Sequence, residues 1–240
     1  MAVLVPSSAF AWGPLTHVYL GTEVFHLAPL LSAGMLGLLR RYRQDFLYGN
    51  LMADMILGKK YMPVKKSTHS WDLALSLLES SETDSERAFS YGYMCHLAAD
   101  TSAHNRYAGR GNLRHMYMEI QADGILDLAY WQEAVNIEKR VQDRNDMFLE
   151  RSLDCVLFSF KTNRRIFKGI VMLSGLNGVR PVGPVSRVVA VPAIEGLREE
   201  SLDRIMDVLR NGKRSEVLKL DPIGRQKKSR ILTGILTAGL

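Results

Sequence analysis

A chain of 240 residues, 47% hydrophobic and 23% charged, is long enough to bury a core and has globular proportions. Its two cysteines, Cys95 and Cys155, exclude a disulfide-rich scaffold and a cysteine-based zinc site, while leaving room for one disulfide. The net charge of +6 is lopsided: residues 1–130 hold 11 Lys and Arg against 12 Asp and Glu, and residues 131–240 hold 20 against 13, a basic half that suits solvent, an anionic membrane surface or a polyanionic substrate.

Residues 1–11, MAVLVPSSAFA, read as a truncated secretory signal: an apolar run ends in Ala9-Phe10-Ala11, the small-x-small pattern at which such signals are cut. Cleavage there would make Trp12 the first mature residue and place the protein outside the cytoplasm, secreted or periplasmic. No stretch reaches the ~18–20 apolar residues of a membrane span. The segment from Trp12 to Pro29 predicts a helix. Pro14 suits its first turn, and Leu15, Val18, Tyr19 and Phe25 supply its apolar face. His17 and His26 fall half a turn out of phase, so they cannot share one site, and His26 reads as a surface or packing residue.

An apolar–basic helix is expected over 34–47. Helical periodicity then continues through Phe46, Leu47, Leu51, Met55 and Ile56, with Asp54 embedded among apolar neighbours. A carboxylate so placed requires a partner. Residues 59–66 read as a basic loop, and His69 stands at the mouth of a helix ending near Glu79. Thr83-Asp-Ser-Glu86 is a capping box that opens the next helix, whose core side carries Phe89, Tyr93 and Leu97. Beyond Asp123 an apolar–charged helix is expected over 124–160. Residues 174–196, rich in proline and glycine, cannot be one long helix, and Val188-Val-Ala-Val suits a short extended piece. An amphipathic helix follows over 198–210, with Leu202, Ile205, Met206 and Leu209 at 3–4 spacing. The last residues are a basic run and a short apolar tail. There are no internal repeats, no Gly-rich phosphate loop, no nucleic-acid-binding motif and no Gly-x-Ser-x-Gly elbow.

The chemistry concentrates in residues 93–123, YMCHLAADTSAHNRYAGRGNLRHMYMEIQAD. His96, Asp100 and His104 are spaced i, i+4, i+8 and share one helical face within an arc of roughly 80°. His115 and Glu119 form a second i, i+4 pair, extended one turn by Asp123, across a polar loop of turn residues. One His-x-x-x-Asp pair is an ordinary helix-surface contact. Two consecutive pairs facing each other are the means by which helices chelate a divalent ion, since zinc takes His nitrogen and carboxylate oxygen at roughly 2.0–2.2 Å. Neither helix completes the shell alone, so further donors must come from elsewhere.

Trp12-Gly-Pro-Leu-Thr-His17, Gly49 to Asp54, His69-Ser-Trp-Asp, His96-x3-Asp100-x3-His104 and His115-x3-Glu119 resemble, in that order, the zinc-dependent phospholipase C family, whose fold the fungal single-strand nucleases share. The resemblance spans residues 12–123, and its specificity lies in the ordered set. It implies an all-α, multi-helix domain over 12–240 with three zinc ions in a cleft. Trp12, through its free amine and carbonyl, and His17 would bind one ion. His69, His96 and Asp100 would bind another, with Asp100 bridging to the first. His104, His115 and Glu119 would bind the third, and Asp54 would stand beside the metals as general base or extra ligand. Asp100 and His104 are separated by three residues, where the bacterial phospholipases and the nucleases usually have five; this leaves the helix unbroken and speaks against a nuclease.

The implied activity is hydrolysis of a phosphodiester, foremost a phospholipid headgroup at a membrane surface, by metal-activated water. Two alternatives stand beside it: the same centre acting on another phosphoester such as single-stranded nucleic acid, and a metal-binding domain without catalysis.

Overall fold

The computed structural model describes residues 12–55, 68–107, 122–153, 162 and 184–223, excluding the side chains of 104–107, 128, 131 and 184–191. Among these residues all regular structure is helical. The order is α1 (Pro14–His26), a 3-10 turn (Ala28–Leu30), α2 (Ala33–Arg41), α3 (Arg43–Met55), α4 (Trp71–Ser80), α5 (Asp84–Tyr107), α6 (Leu128–Val135), α7 (Lys139–Ser152), α8 (Pro184–Asn211) and two further 3-10 turns (Gly212–Arg214 and Glu216–Lys219). The all-α expectation therefore holds. No described helix is long and apolar enough to cross a membrane.

The bundle is built around α5, which packs most extensively on α3 and α8 and also on α4. It starts at the expected capping box: Thr83 Oγ1 accepts from the Glu86 N–H at 3.2 Å, and Glu86 Oε2 accepts from the Thr83 N–H at 3.0 Å, so two orphan backbone donors are each satisfied by the other residue's side chain. From there Phe89, Tyr93, Met94 and Leu97 are fully buried. Residues Asp45 to Met55 of α3 are buried without a break, which makes α3 an interior helix rather than an amphipathic one.

Two glycines set how closely α3 and α5 approach. A Cβ on Gly49 would lie 2.1 Å from the Phe89 carbonyl oxygen, and one on Gly92 would lie 2.0 Å from that of Phe46. Polar contacts then fasten α7 to α3. Buried Asp45 accepts from Arg144 Nε at 2.8 Å and Asn145 Nδ2 at 2.7 Å, and Tyr48 donates its hydroxyl to Asp146 at 2.6 Å. The buried carboxylates are thus compensated, as burial demands.

Three local expectations are corrected. Residues 34–47 are not one helix: the chain breaks at Tyr42, whose N–H bonds back to Leu38, and α3 starts at Arg43. The run 124–160 is divided at residues 125–127, where Asp127 caps the start of α6, and again at 136–138, where Asn136 ends α6 and Glu138 opens α7. Val188 to Val191 is helical, not extended, because α8 runs through it with Pro192 inside. Pro192 is exposed, so its ring and missing N–H fall on the solvent side, where water can serve the freed carbonyl. The expected 198–210 helix is the second half of α8, with Ile205, Met206 and Leu209 buried. Residues 1–11, the basic loop 59–66, Cys155 and the basic tail lie outside the described residues.

Candidate metal centre

Five buried polar residues converge where α1, α3 and α5 meet the turn that leads into α4. His17 sits in the first turns of α1, Asp54 in the last turn of α3, and His96 and Asp100 one turn apart on α5. His69 lies in the turn before Ser70, whose hydroxyl caps α4 by accepting from the Leu73 N–H. His17 and His96 are 0% exposed, Asp100 1%, and Asp54 and His69 6% each. The cluster therefore opens toward its Asp54–His69 edge.

The three imidazoles aim Nε2 at one region. His96 Nε2 lies 3.2 Å from His69 Nε2, and the His17 and His96 rings stack at 3.8 Å between centroids, 16° from parallel. Asp100 divides its oxygens: Oδ1 is 3.3 Å from His17 Nε2, and Oδ2 is 3.3 Å from His69 Nε2 and 3.2 Å from His96 Nε2. Asp54 Oδ1 is 3.1 Å from His69 Nε2, and its Oδ2 is 3.9 Å from His17 and 3.8 Å from His96. Two triads, His17–His96–Asp100 and Asp54–His69–His96, each have their donor atoms within 4.8 Å of one another.

These residues fit a divalent cation of the zinc type. Both ring nitrogens of His17 and both carboxylate oxygens of Asp100 are buried without a hydrogen-bond partner, a state that native interiors rarely tolerate unless something else satisfies the atoms. His96 Nδ1 lies 2.7 Å from the Asn50 carbonyl oxygen. A carbonyl can only accept, so Nδ1 carries the proton and Nε2 offers its lone pair to the cluster, the outer-shell pattern of metal-binding histidines. His69 Nδ1 has Thr68 Oγ1 at 3.1 Å on its outer side. Nitrogen and carboxylate donors without thiolate match zinc chemistry.

Electrostatics sharpen the roles. Burial depresses His17, and the charge of His96 adds to this against the pull of Asp100 and Asp54. For His96, burial acts downward but the Asp100 and Asp54 carboxylates outweigh it, leaving it above the ordinary histidine value. Burial works to raise Asp100, yet the charge of His96 and the contacts from His17, His69 and His96 hold it well below the usual carboxylate range. Asp100 is thus a committed anion amid nitrogen donors.

The structure brings together His17, Asp54, His69, His96 and Asp100, residues separated by up to 83 positions in sequence. His104 lies on α5 one turn past Asp100, but its side chain lies outside the described set, as do His115 and Glu119. Trp12 is buried, and its indole donates to the Ala99 carbonyl at 3.2 Å and to Ser201 Oγ at 3.0 Å. His26 is far from the cluster in role and place, exposed on α1 and paired with Glu23 at 3.1 Å.

Sequence reasoning missed two supporting groups, Asn50 and Tyr93, and gave a third, Asp123, a different part as an extension of the His115–Glu119 pair. Asn50 serves His96 through a main-chain carbonyl, which carries no residue signature. Tyr93, read only as core, donates its hydroxyl to the Thr68 carbonyl at 2.5 Å and so holds the turn bearing His69. Asp123 accepts from the Leu15 and Thr16 N–H groups, just ahead of His17. For Asp123 a signal existed: Gly13-Pro14 opens a helix without a capping side chain, so a cap had to come from elsewhere.

A family model described as zinc dependent phospholipase C matches residues 16–155, a span that contains all five clustered residues. No curated protein and no solved structure gives a significant match. With more than half the chain matched and the donor cluster inside the match, the chain belongs to the zinc-dependent phospholipase C family.

Proposed function

We propose that this protein is a zinc-dependent phosphodiester hydrolase that cleaves phospholipid headgroups outside the cytoplasm, working as one helical domain over 12–240. Membership of its family makes it phospholipase C-like. The observation that carries the reading is the convergence of three imidazole Nε2 atoms on two buried carboxylates, with His17 and Asp100 otherwise unpartnered in hydrogen bonding. A helical core has no structural need for such a cluster, and burying it uncompensated is unfavourable.

His17, His69, His96 and Asp100 would hold zinc. Asp100 turns one oxygen toward His17 and the other toward His69 and His96, which suits a carboxylate shared between two ions. From the family resemblance, the Trp12 amine and carbonyl would add to the His17 side, and His104, His115 and Glu119 would hold a third ion. Bound zinc supplies Lewis acidity toward the phosphoryl group and toward water.

Asp54 then takes the acid–base role. It lies at the open edge of the cluster, within reach of His69 at 3.1 Å. A carboxylate there can orient the attacking water and accept its proton as the oxygen bonds to phosphorus. The bond to the glycerol oxygen breaks, and that oxygen takes up a proton from solvent. The products are diacylglycerol and a phosphorylated headgroup. Burial of His17, His96 and Asp100 keeps bulk water off the inner donors and strengthens their fields.

The test begins with protein whose first residue is Trp12, assayed for zinc per chain and for hydrolysis of mixed phospholipid vesicles, with products identified by mass spectrometry. Diacylglycerol and phosphorylated headgroup are expected, abolished by chelation. Asp54→Asn should retain metal and lose at least ~100-fold in rate. Zinc-loaded protein that cleaves neither phospholipid nor a chromogenic phosphodiester would make the centre non-catalytic. Cleavage of single-stranded DNA in preference to lipid would move the substrate class.

A further inference from the structure

His17 differs from the other two clustered histidines in what orients it. His96 is fixed from behind by the Asn50 carbonyl, and His69 by Thr68 Oγ1. His17 Nε2 faces Asp100 Oδ1 at 3.3 Å inside the cluster, but Nδ1 has no hydrogen-bond partner, so no outer group fixes its ring, which is placed by the cluster itself, by stacking on His96 and by the backbone that carries it. That backbone is the first turn of α1, where helices are least constrained because their leading N–H groups have no intrahelical acceptor.

The start of α1 lacks a cap of its own. Gly13 is the N-cap and has no side chain, and Pro14 at the first helical position has no N–H. The donors left without an intrahelical acceptor are those of Leu15 and Thr16. Both are taken by one carboxylate from 107 and 108 residues away: Asp123 Oδ2 accepts from the Leu15 N–H at 3.2 Å, and Oδ1 accepts from the Thr16 N–H at 2.9 Å and the Thr16 hydroxyl at 2.7 Å. An anion at a helix N-terminus also meets the positive end of the helix dipole. Gly13 is required by the contact rather than by its backbone angle: its φ is −74°, but a Cβ would lie 2.3 Å from Asp123 Oδ2.

Asp123 is in turn held in place. The adjoining Ala122 carbonyl accepts from Arg198 Nη2 of α8 at 2.6 Å, and the Arg198 guanidinium lies 5.0 Å over the Tyr19 ring of α1. Thus α8, the helical residues 122–123 and α1 close a ring of contacts around the segment that ends in His17.

We infer that Asp123 is a positioning residue for the metal centre: its carboxylate caps α1 in place of Gly13 and thereby aims His17 at the cluster. This rests on the reading of the cluster as a zinc site. The residue touches neither the cluster nor substrate, and acts through two main-chain N–H groups.

The experiment uses cobalt in place of zinc, because its visible absorption reports ligand number and geometry. Wild type, Asp123→Ala, Asp123→Asn, Gly13→Ala and the double variant G13A/D123A would be titrated with cobalt and their thermal unfolding followed. Asp123→Ala should lose on the order of 10- to 100-fold in cobalt affinity, the range expected for an outer-shell group, with an altered spectrum. Asp123→Asn should be intermediate, since its amide retains one acceptor oxygen. Gly13→Ala, which pushes the carboxylate away, should resemble Asp123→Ala, and the double variant should be no worse than either. Tyr48→Phe, which removes a remote buried hydrogen bond to Asp146, serves as a control that lowers the melting temperature without changing the spectrum. Wild-type affinity and spectrum in folded Asp123→Ala would overturn the inference. If that variant does not fold, wild-type affinity and spectrum in Asp123→Asn and Gly13→Ala would overturn it equally. Wild-type protein that binds neither cobalt nor zinc would overturn the metal reading itself, and this proposal with it.

Discussion

Gly49 of α3 and Gly92 of α5 face each other across a contact in which each occupies the space over the other helix's main chain. A methyl group on either would stand 2.0–2.1 Å from a carbonyl oxygen of the facing helix. The consequence is local and chemical. Asn50, next to Gly49, is near enough for its carbonyl to accept a hydrogen bond from Nδ1–H of His96, four residues after Gly92. The close approach of the two helices is therefore part of what builds the candidate metal centre.

Alanine at position 49 or 92 should be strongly destabilising, by about 3 kcal/mol or more, because backbone cannot yield as a side chain can. Gly37→Ala and Gly196→Ala, where a Cβ would meet nothing within 4 Å, should instead be neutral or stabilising by up to ~1 kcal/mol through helix propensity. Urea denaturation of the four variants checks the contrast. Near-wild-type midpoints for Gly49→Ala and Gly92→Ala would contradict the packing described.

Chelation should lower the melting temperature, since a zinc ion held by the folded cluster would have no equal site on the unfolded chain. At free zinc ~1,000-fold above its Kd the linkage is about 4 kcal/mol, roughly 8–16 °C for a chain of this size. Readdition of zinc should restore it. The difference should shrink as pH falls below neutrality, because imidazole must be neutral to ligate and His96 already sits above the ordinary histidine value. Calorimetry at pH 7.5 and 5.5, with and without metal, measures both effects.

Tyr93→Phe removes the hydroxyl that the buried Thr68 carbonyl accepts from. An unsatisfied buried carbonyl costs about 1–3 kcal/mol. The same carbonyl belongs to the residue that contacts His69, so zinc affinity should fall on the order of tenfold along with stability. A variant with lowered stability and unchanged zinc affinity would show that the tyrosine serves packing only.

Cys95 should be chemically silent in the native state. It is fully buried with a free thiol, and burial pushes its pKa well up, so thiolate is scarce and inaccessible. Alkylation at pH 8, with peptide mapping at Cys95, should run at least ~100-fold slower than in urea. Rapid native labelling would mean that α5 opens readily beside the centre.

The parts of this centre that were legible in sequence are those carried by side-chain identity at a fixed spacing. His96 and Asp100 follow from the 3.6 period, and the start of α5 follows from Thr83 and Glu86. The joining of His17, Asp54 and His69 to them was implied only by the ordered resemblance, because no local period links separate helices. What escaped depends on main chain and on tertiary override. The Asn50 carbonyl has no residue code. Val188 to Val191 has strand-like composition, yet it continues a helix whose later turns, from Ile194 on, pack on the core. Weak local preference yields to such packing.

The anchoring of Trp12 bears on when the site can form during synthesis. Its indole is held by Ser201, 189 residues later, and Ser201 shares a 2.5 Å hydrogen bond with Ser102 of α5. The segment bearing His17 thus has part of its fastening on α8, beside its contacts with Ala99 of α5 and with Asp123. A nascent chain can fold α3 to α5 as they emerge, with Ala99 and then Asp123 already available to the N-terminal segment, but the Ser201 contact waits until α8 leaves the ribosome. Closing so long a loop is slow relative to local helix formation. Assembly is therefore vectorial, with the N-terminal fastening completed last, so ribosome-bound or C-terminally shortened chains would hold Trp12 and the segment bearing His17 less firmly than the full bundle does.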